Sequence, residues 1–193
     1  MKVILEDGSG SGFKAKVDSA NRVLTRAVSL TEQNNQTRLG RSYNIGTGVV
    51  TLTNSADSGV LYFKNNEADD ILITGINISS TSATGSASKV MLVKTYQKAT
   101  GLSAGSTVMA LNSNYGSSRD LTADIKVGQT NATVTNGTPV GAFHIPLETF
   151  FYTAVSWIIP KGTTIAVSVT PPTSNTSLSL SVTVEAMLIS KEV

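Results

Sequence analysis

Few side chains in this sequence could do covalent chemistry. His144, in GAFHIPLETFF, is the only histidine, and there is no cysteine. One histidine is enough for a Ser-His-Asp site, but nothing like the nucleophile elbow of the α/β-hydrolases occurs. His144 instead alternates with apolar neighbours on a predicted strand, which reads as a structural histidine. Without thiolates, neither a disulfide framework nor a thiolate metal site can form. The acidic run in NNEADD, Glu67 to Asp70, lacks the ligand spacing and glycine hinge of an EF-hand and is expected to be a polar turn just before a strand. GSGSG is no dinucleotide fingerprint, because no strand and helix flank it. The chain therefore reads as a non-enzyme, with no catalytic residue, metal ligand or cofactor expected.

Binding chemistry is better represented. Phe150, Phe151, Tyr152 and Trp157 lie close together in the sequence and could stack on a sugar ring, although core or interface packing is the commoner fate of such aromatics. Charge is unevenly placed: residues 1–41 hold seven basic and four acidic side chains, while the rest of the chain holds eight and nine. A basic arm on a near-neutral body can meet an acidic protein surface or nucleic acid. Protein is the expected partner, since Phe13 is the only aromatic residue among the dispersed basic positions and no stacking platform accompanies them.

The elements that must carry these residues are strands. Ser and Thr together number 49 of 193 residues, and runs of helix formers are missing. In the stretch 8–28, Phe13, Ala15 and Val17 alternate with Lys14, Lys16 and Asp18, turn formers follow up to Asn21, and Arg22 to Val28, including Arg26, resumes β character. This predicts a β-hairpin on a glycine-containing leader. Two strands alone are marginal in water, so its apolar face needs a partner.

Further on, GVVTLTN, GVLYFKNN, DILITGINISS, SKVMLVKTY, TTIAVSVT and SLSLSVTVEAMLIS read as strands. Leu72, Thr74, Ile76 and Ile78 are expected on one face of the third, while Ile71 and Ile73 make its first half apolar on the other as well, as in a central strand. Ile165, Val167 and Val169 should point inward, with Thr164, Ala166 and Ser168 outward. SLTEQNNQTRLGR can form a turn or two of helix. Eight to ten strands at this spacing predict an all-β, antiparallel β-sandwich or jelly roll, with residues 1–45 as an extended arm and 46–193 as the body. No apolar run is long enough to span a bilayer, and MKVILEDGSG is too short in apolar residues for a signal peptide. Synthesis in the cytoplasm is expected, with no membrane partner.

Three motifs carry a resemblance: Ala15, Val17, Asp18, Asn21 and Arg22 in the hairpin, Tyr43, Asn44, Thr47 and Gly48 after it, and Tyr62, Lys64, Asn65, Asn66 and Glu67 at a strand end. With the glycine leader they make residues 6–80 resemble the N-terminal half of a group of tailed-bacteriophage virion proteins. The resemblance implies a structural protein of the virion, a capsid decoration or cement protein first and a tail or fibre component second. It implies docking through the arm on the major capsid protein or another virion subunit. Partner-docking residues would be Phe13, Lys14, Ala15, Lys16, Val17, Asp18, Asn21, Arg22 and Arg26. By analogy with the family, a homotrimer is the expected oligomer. A carbohydrate-binding module using Phe150, Phe151, Tyr152 and Trp157 is the rival expectation.

Overall fold

The computed structural model describes residues 31–189, together with the backbone of two short strands, β1 (Lys16–Val17) and β2 (Val23–Leu24). The chain divides into two compact units, Met1–Thr31 and Glu32–Val193. In the first, β1 and β2 pair antiparallel, with Lys16 opposite Leu24 and Val17 opposite Val23, so the expected hairpin is present. The side chains of its docking residues, Phe13, Lys14, Ala15, Lys16, Val17, Asp18, Asn21, Arg22 and Arg26, lie outside the described residues.

The second unit opens with a short helix, α1 (Glu32–Arg38), and continues through β3 (Ser42–Gly46), β4 (Val50–Leu52), β5 (Ser58–Asn65), β6 (Asp70–Ser80) and β7 (Val90–Gln97). Five short strands follow: β8 (Gly101–Leu102), β9 (Ser106–Thr107), β10 (Leu111–Asn112), β11 (Ala123–Val127) and β12 (Val134–Thr135). The unit ends with β13 (Thr138–Pro146), β14 (Phe150–Ile159), β15 (Thr164–Thr170) and β16 (Leu178–Ile189). The body was expected to begin at residue 46. It begins at Glu32 instead, because Tyr43 and Ile45 of β3 are core residues, 1% and 0% exposed, and β3 pairs with β16.

All the pairings are antiparallel. One sheet runs β10-β3-β16-β6-β14, with β4 also on β16, and the other runs β13-β7-β15-β5-β11-β9. Four strands of each, β3-β16-β6-β14 and β5-β15-β7-β13, are joined by connections that cross from sheet to sheet at every step except β7 to β13. That is jelly-roll connectivity, so the all-β sandwich expected from strand spacing is the fold. The core between the sheets takes Leu178, Leu180, Val182 and Val184 from β16, Val167 and Val169 from β15, and Leu61 and Phe63 from β5. Period-two alternation put these side chains on one face.

Two expectations about faces need correction. In β6, Ile71 and Ile73 point inward in one half and Ile76 and Ile78 in the other, whereas Leu72 and Thr74 do not join them. The register slips between Glu185 and Ala186 of β16, which face Gly75 and Ile73, and so β6 carries one extra residue at Thr74. A bulge of this kind switches the parity of a strand, which a strict alternation cannot foresee. In β15, Thr164, Ala166 and Ser168 do turn away from the sandwich core, but they are buried. The chain between β7 and β13 folds back, and Leu102 of β8 with Ala132, just before β12, joins a second small core with Tyr62, Ala99 and Ala166. The helix expected in SLTEQNNQTRLGR is α1, which packs against β3 and β16.

Candidate interaction surfaces

Strand β14 is an edge of the first sheet and bonds only β6. Its alternation divides the four aromatic residues of interest. Phe150 and Tyr152 face outward and are 69% and 49% exposed, whereas Phe151 and Trp157 turn toward the core and pack on it. Phe151 meets Phe143 of β13 at a ring-centroid distance of 5.9 Å. The four therefore do not form one platform. Trp157 lines a cleft of ≈ 340 Å³ together with Tyr96, Val140 and Ile158.

The outer face of the first sheet is the open one. Asn77 and Ser79 of β6, Ser179, Ser181, Thr183 and Glu185 of β16, and Asn44 of β3 lie on it, and all are partly or largely exposed. Hydrogen bonds join these short side chains in pairs: Ser79 with Ser181 at 2.8 Å, Thr51 with Ser179 at 3.0 Å, and Asn77 Nδ2 donating to Glu185 Oε1 at 3.0 Å. Tyr152 lies over Gly75, where an added Cβ would come 2.7 Å from its Cε2 atom and 3.0 Å from Glu185 Oε2. A half-exposed aromatic ring beside a carboxylate and an amide is chemistry that can hold a sugar, one face stacked and the hydroxyls bonded.

A second apolar surface lies at the opposite edge of the same sheet. Met109, Leu111 and Tyr115 are 68%, 71% and 103% exposed and line a cleft of ≈ 360 Å³ with Arg119 and Asp120. Sequence reading passed over them because the surrounding segment is rich in Ser, Asn and Gly. β10 is only two residues long, which is too short to leave a periodic signal.

On the covered sheet, Asp57 accepts hydrogen bonds from Ser168 at 2.8 Å and Thr170 at 3.0 Å, and from Lys94 Nζ at 3.0 Å. Burial pushes the Asp57 carboxyl up, but donation by Ser168, Lys94 and Thr170 outweighs it and holds the group below its ordinary value. The bond to Asp57 raises Lys94, which keeps the amine charged and unfit to act as a general base for Ser168. The cluster is a set of ties between strands.

The motif residues after the hairpin also hold the fold. Asn65 is 0% exposed and donates to the carbonyls of Asp69 and Ile159, closing the NNEADD turn, and Glu67 accepts from the Thr122 N–H at 2.7 Å. Arg41 pairs with Asp69 at 2.7 Å. The Thr47 hydroxyl accepts from the Val182 N–H at 2.9 Å, and Tyr43 donates to the Gly40 carbonyl at 3.1 Å. The acidic run is thus a structural turn, and no group of metal-ligating side chains occurs among the described residues. His144 lies on β13 as expected, opposite Leu92, with its side chain exposed on the outer side. Neither a protein-family model nor a curated protein matches this chain.

Proposed function

We propose that this chain is a structural, non-catalytic subunit of a bacteriophage virion, a capsid decoration protein that docks on the shell through its N-terminal hairpin and stabilises the particle. The observation that carries the reading is the division at Thr31: the hairpin bearing the A-x-V-D-x-x-N-R motif belongs to one compact unit, and the jelly roll encloses its own core in the other. A hairpin that small needs an external surface to be stable, and the shell subunit supplies it. The protein is made in the host cytoplasm and ends in the virion as a homo-oligomer, a trimer by analogy with the proteins it resembles. The test is particle co-sedimentation of the full chain, of Val17→Asp, and of a chain lacking residues 1–31. Both variants should stay folded by circular dichroism and fail to attach. Normal attachment of the shortened chain would overturn the docking role.

A tail or fibre component that binds host glycans is the second reading, favoured by Tyr152 beside Glu185 and Asn77 on the open face. Glycan binding lost in Tyr152→Ala, with particle attachment intact, would select it.

A further inference from the structure

Among the described residues, eight of the ten exposed large apolar side chains fall in two groups, the other two being Val49 and Val90. Leu39, Met109, Leu111 and Tyr115 lie at the β10 edge of the first sheet, with Leu39 just past α1 and tied to this edge through the Asn114 bond to the Arg38 carbonyl. Phe150, Tyr152 and Ile158 lie on β14 at the other edge, where Val140 of β13, in the second sheet, lines a cleft with Ile158. The two edges are opposite ends of one strand order, β10-β3-β16-β6-β14. Each edge also has a cleft, ≈ 360 Å³ beside Tyr115 and ≈ 340 Å³ beside Trp157, so each can receive the other's projecting side chains.

We infer that copies of this chain associate head to tail, the β14 edge of one seated on the β10 edge of the next. The area supports a second copy as the occupant. The four side chains at the β14 edge, Val140 included, expose on the order of 400 Å² and those on the β10 edge on the order of 550 Å². Burying all eight in full would remove about 1,000 Å² from water, the scale at which specific interfaces begin. Charges of both signs rim each patch, Glu148 and Lys161 on one and Arg119 and Asp120 on the other, all exposed. A two-fold dimer through one patch would leave the other in water, whereas a heterologous contact covers both and is met by three or more copies in a closed ring. The inference rests on the proposed homo-oligomer and identifies its surfaces. It does not depend on the partner of the hairpin.

The test is the mass of the full chain in solution by light scattering and sedimentation. Wild type is expected to be an oligomer of at least three copies. Met109→Glu with Tyr115→Glu removes one edge and Phe150→Glu with Ile158→Glu the other, and each variant should be a folded monomer. The milder changes Tyr115→Ser and Ile158→Thr should weaken assembly at least tenfold while the circular dichroism spectrum of the folded body stays that of wild type. Mixing the two glutamate variants leaves one intact edge on each, so the mixture must form a 1:1 dimer and grow no further. A monomeric wild type would overturn both this inference and the homo-oligomer reading. Oligomers that survive in either variant, or a mixture that gives no dimer, would overturn the edge assignment and leave the homo-oligomer reading standing.

Discussion

On the outer side of the second sheet, Thr164, Ala166 and Ser168 are 8%, 0% and 2% exposed, while on the outer side of the first, Ser179, Ser181 and Thr183 stay partly in water. The strands bearing them, TTIAVSVT and SLSLSVTVE, have much the same alternation. What differs is the chain between β7 and β13, which lays β8–β12 over one sheet and leaves the other bare. Covering one face makes that sheet a doubly packed scaffold and leaves the other face and its two edges as the surface available to partners.

The contrast can be tested with one substitution made on both sides. An added Cβ at Gly128 would lie 2.0 Å from the Gly59 carbonyl oxygen and 3.0 Å from the Ala132 Cβ, so backbone must move to admit it. At Gly46, on the open sheet, the same atom would meet only Thr183 Oγ1 at 3.6 Å and the Gly48 nitrogen at 4.0 Å, both ordinary contacts. Gly128→Ala is expected to cost about 3 kcal/mol or more in denaturant unfolding, and Gly46→Ala less than about 0.5 kcal/mol. Equal costs would mean that the two faces are packed alike. Next in size, Leu102→Ala empties the second core of its largest aliphatic side chain. It should cost about 2–3 kcal/mol, while Val49→Ala, at a side chain 78% exposed between β3 and β4 and outside both association edges, leaves unfolding unchanged to within about 0.5 kcal/mol.

Strand content and the core face of β16 were readable because period-two alternation over a long strand is unambiguous: Leu178, Leu180, Val182 and Val184 all point inward. The bulge in β6 was not, since Ile71, Leu72 and Ile73 are apolar on both parities and only cross-strand register decides among them. Ala166 and Ser168 were assigned to the correct face but not to burial, because the cover comes from residues more than thirty positions away in strands of two residues. The aromatic run at 150–157 was visible, but its division into Phe150 and Tyr152 outside and Phe151 and Trp157 inside needed the strand. The apolar β10 edge left no sequence signal at all.

A smaller effect belongs to the covered side and depends on pH. Asp57 and Lys94 are paired at 3.0 Å, with side chains 39% and 30% exposed, so solvent screens the pair and it contributes only about 0.5 kcal/mol. The folded Asp57 carboxyl titrates below its unfolded value of about 3.9. Its contribution is therefore present above that value and lost as pH falls through the lower folded one. Lys94 titrates above its unfolded value, about 10.4, and its contribution is complete below that and lost at higher pH. Unfolding curves of wild type and Asp57→Asn should thus run parallel near neutrality, separated by that small difference, and converge below the unfolded aspartate value. Curves that diverge on acidification would contradict the depressed titration.

The smallest change in stability is expected on the open face, at Gly75, where it also tests the glycan reading. A glycine inside a strand costs roughly 0.5–1 kcal/mol relative to alanine, and laying an aromatic ring across it recovers part of that. In Gly75→Ala the new Cβ would meet Tyr152 Cε2 at 2.7 Å and Oη at 2.9 Å, and Glu185 Oε2 at 3.0 Å. All three atoms are ends of side chains with solvent beside them, so the ring swings away without moving backbone. The gain from removing glycine and the loss of the ring's contact then offset, leaving a net change within about 0.5 kcal/mol. The displaced ring is still measurable. The Gly75 Hα protons beneath it in wild type should carry an upfield ring-current shift that Tyr152→Ser abolishes, and any glycan affinity should fall in both variants. A loss of stability above about 2 kcal/mol in Gly75→Ala would show that this face is held as rigidly as the covered one, and the division between scaffold and exposed surface would fail.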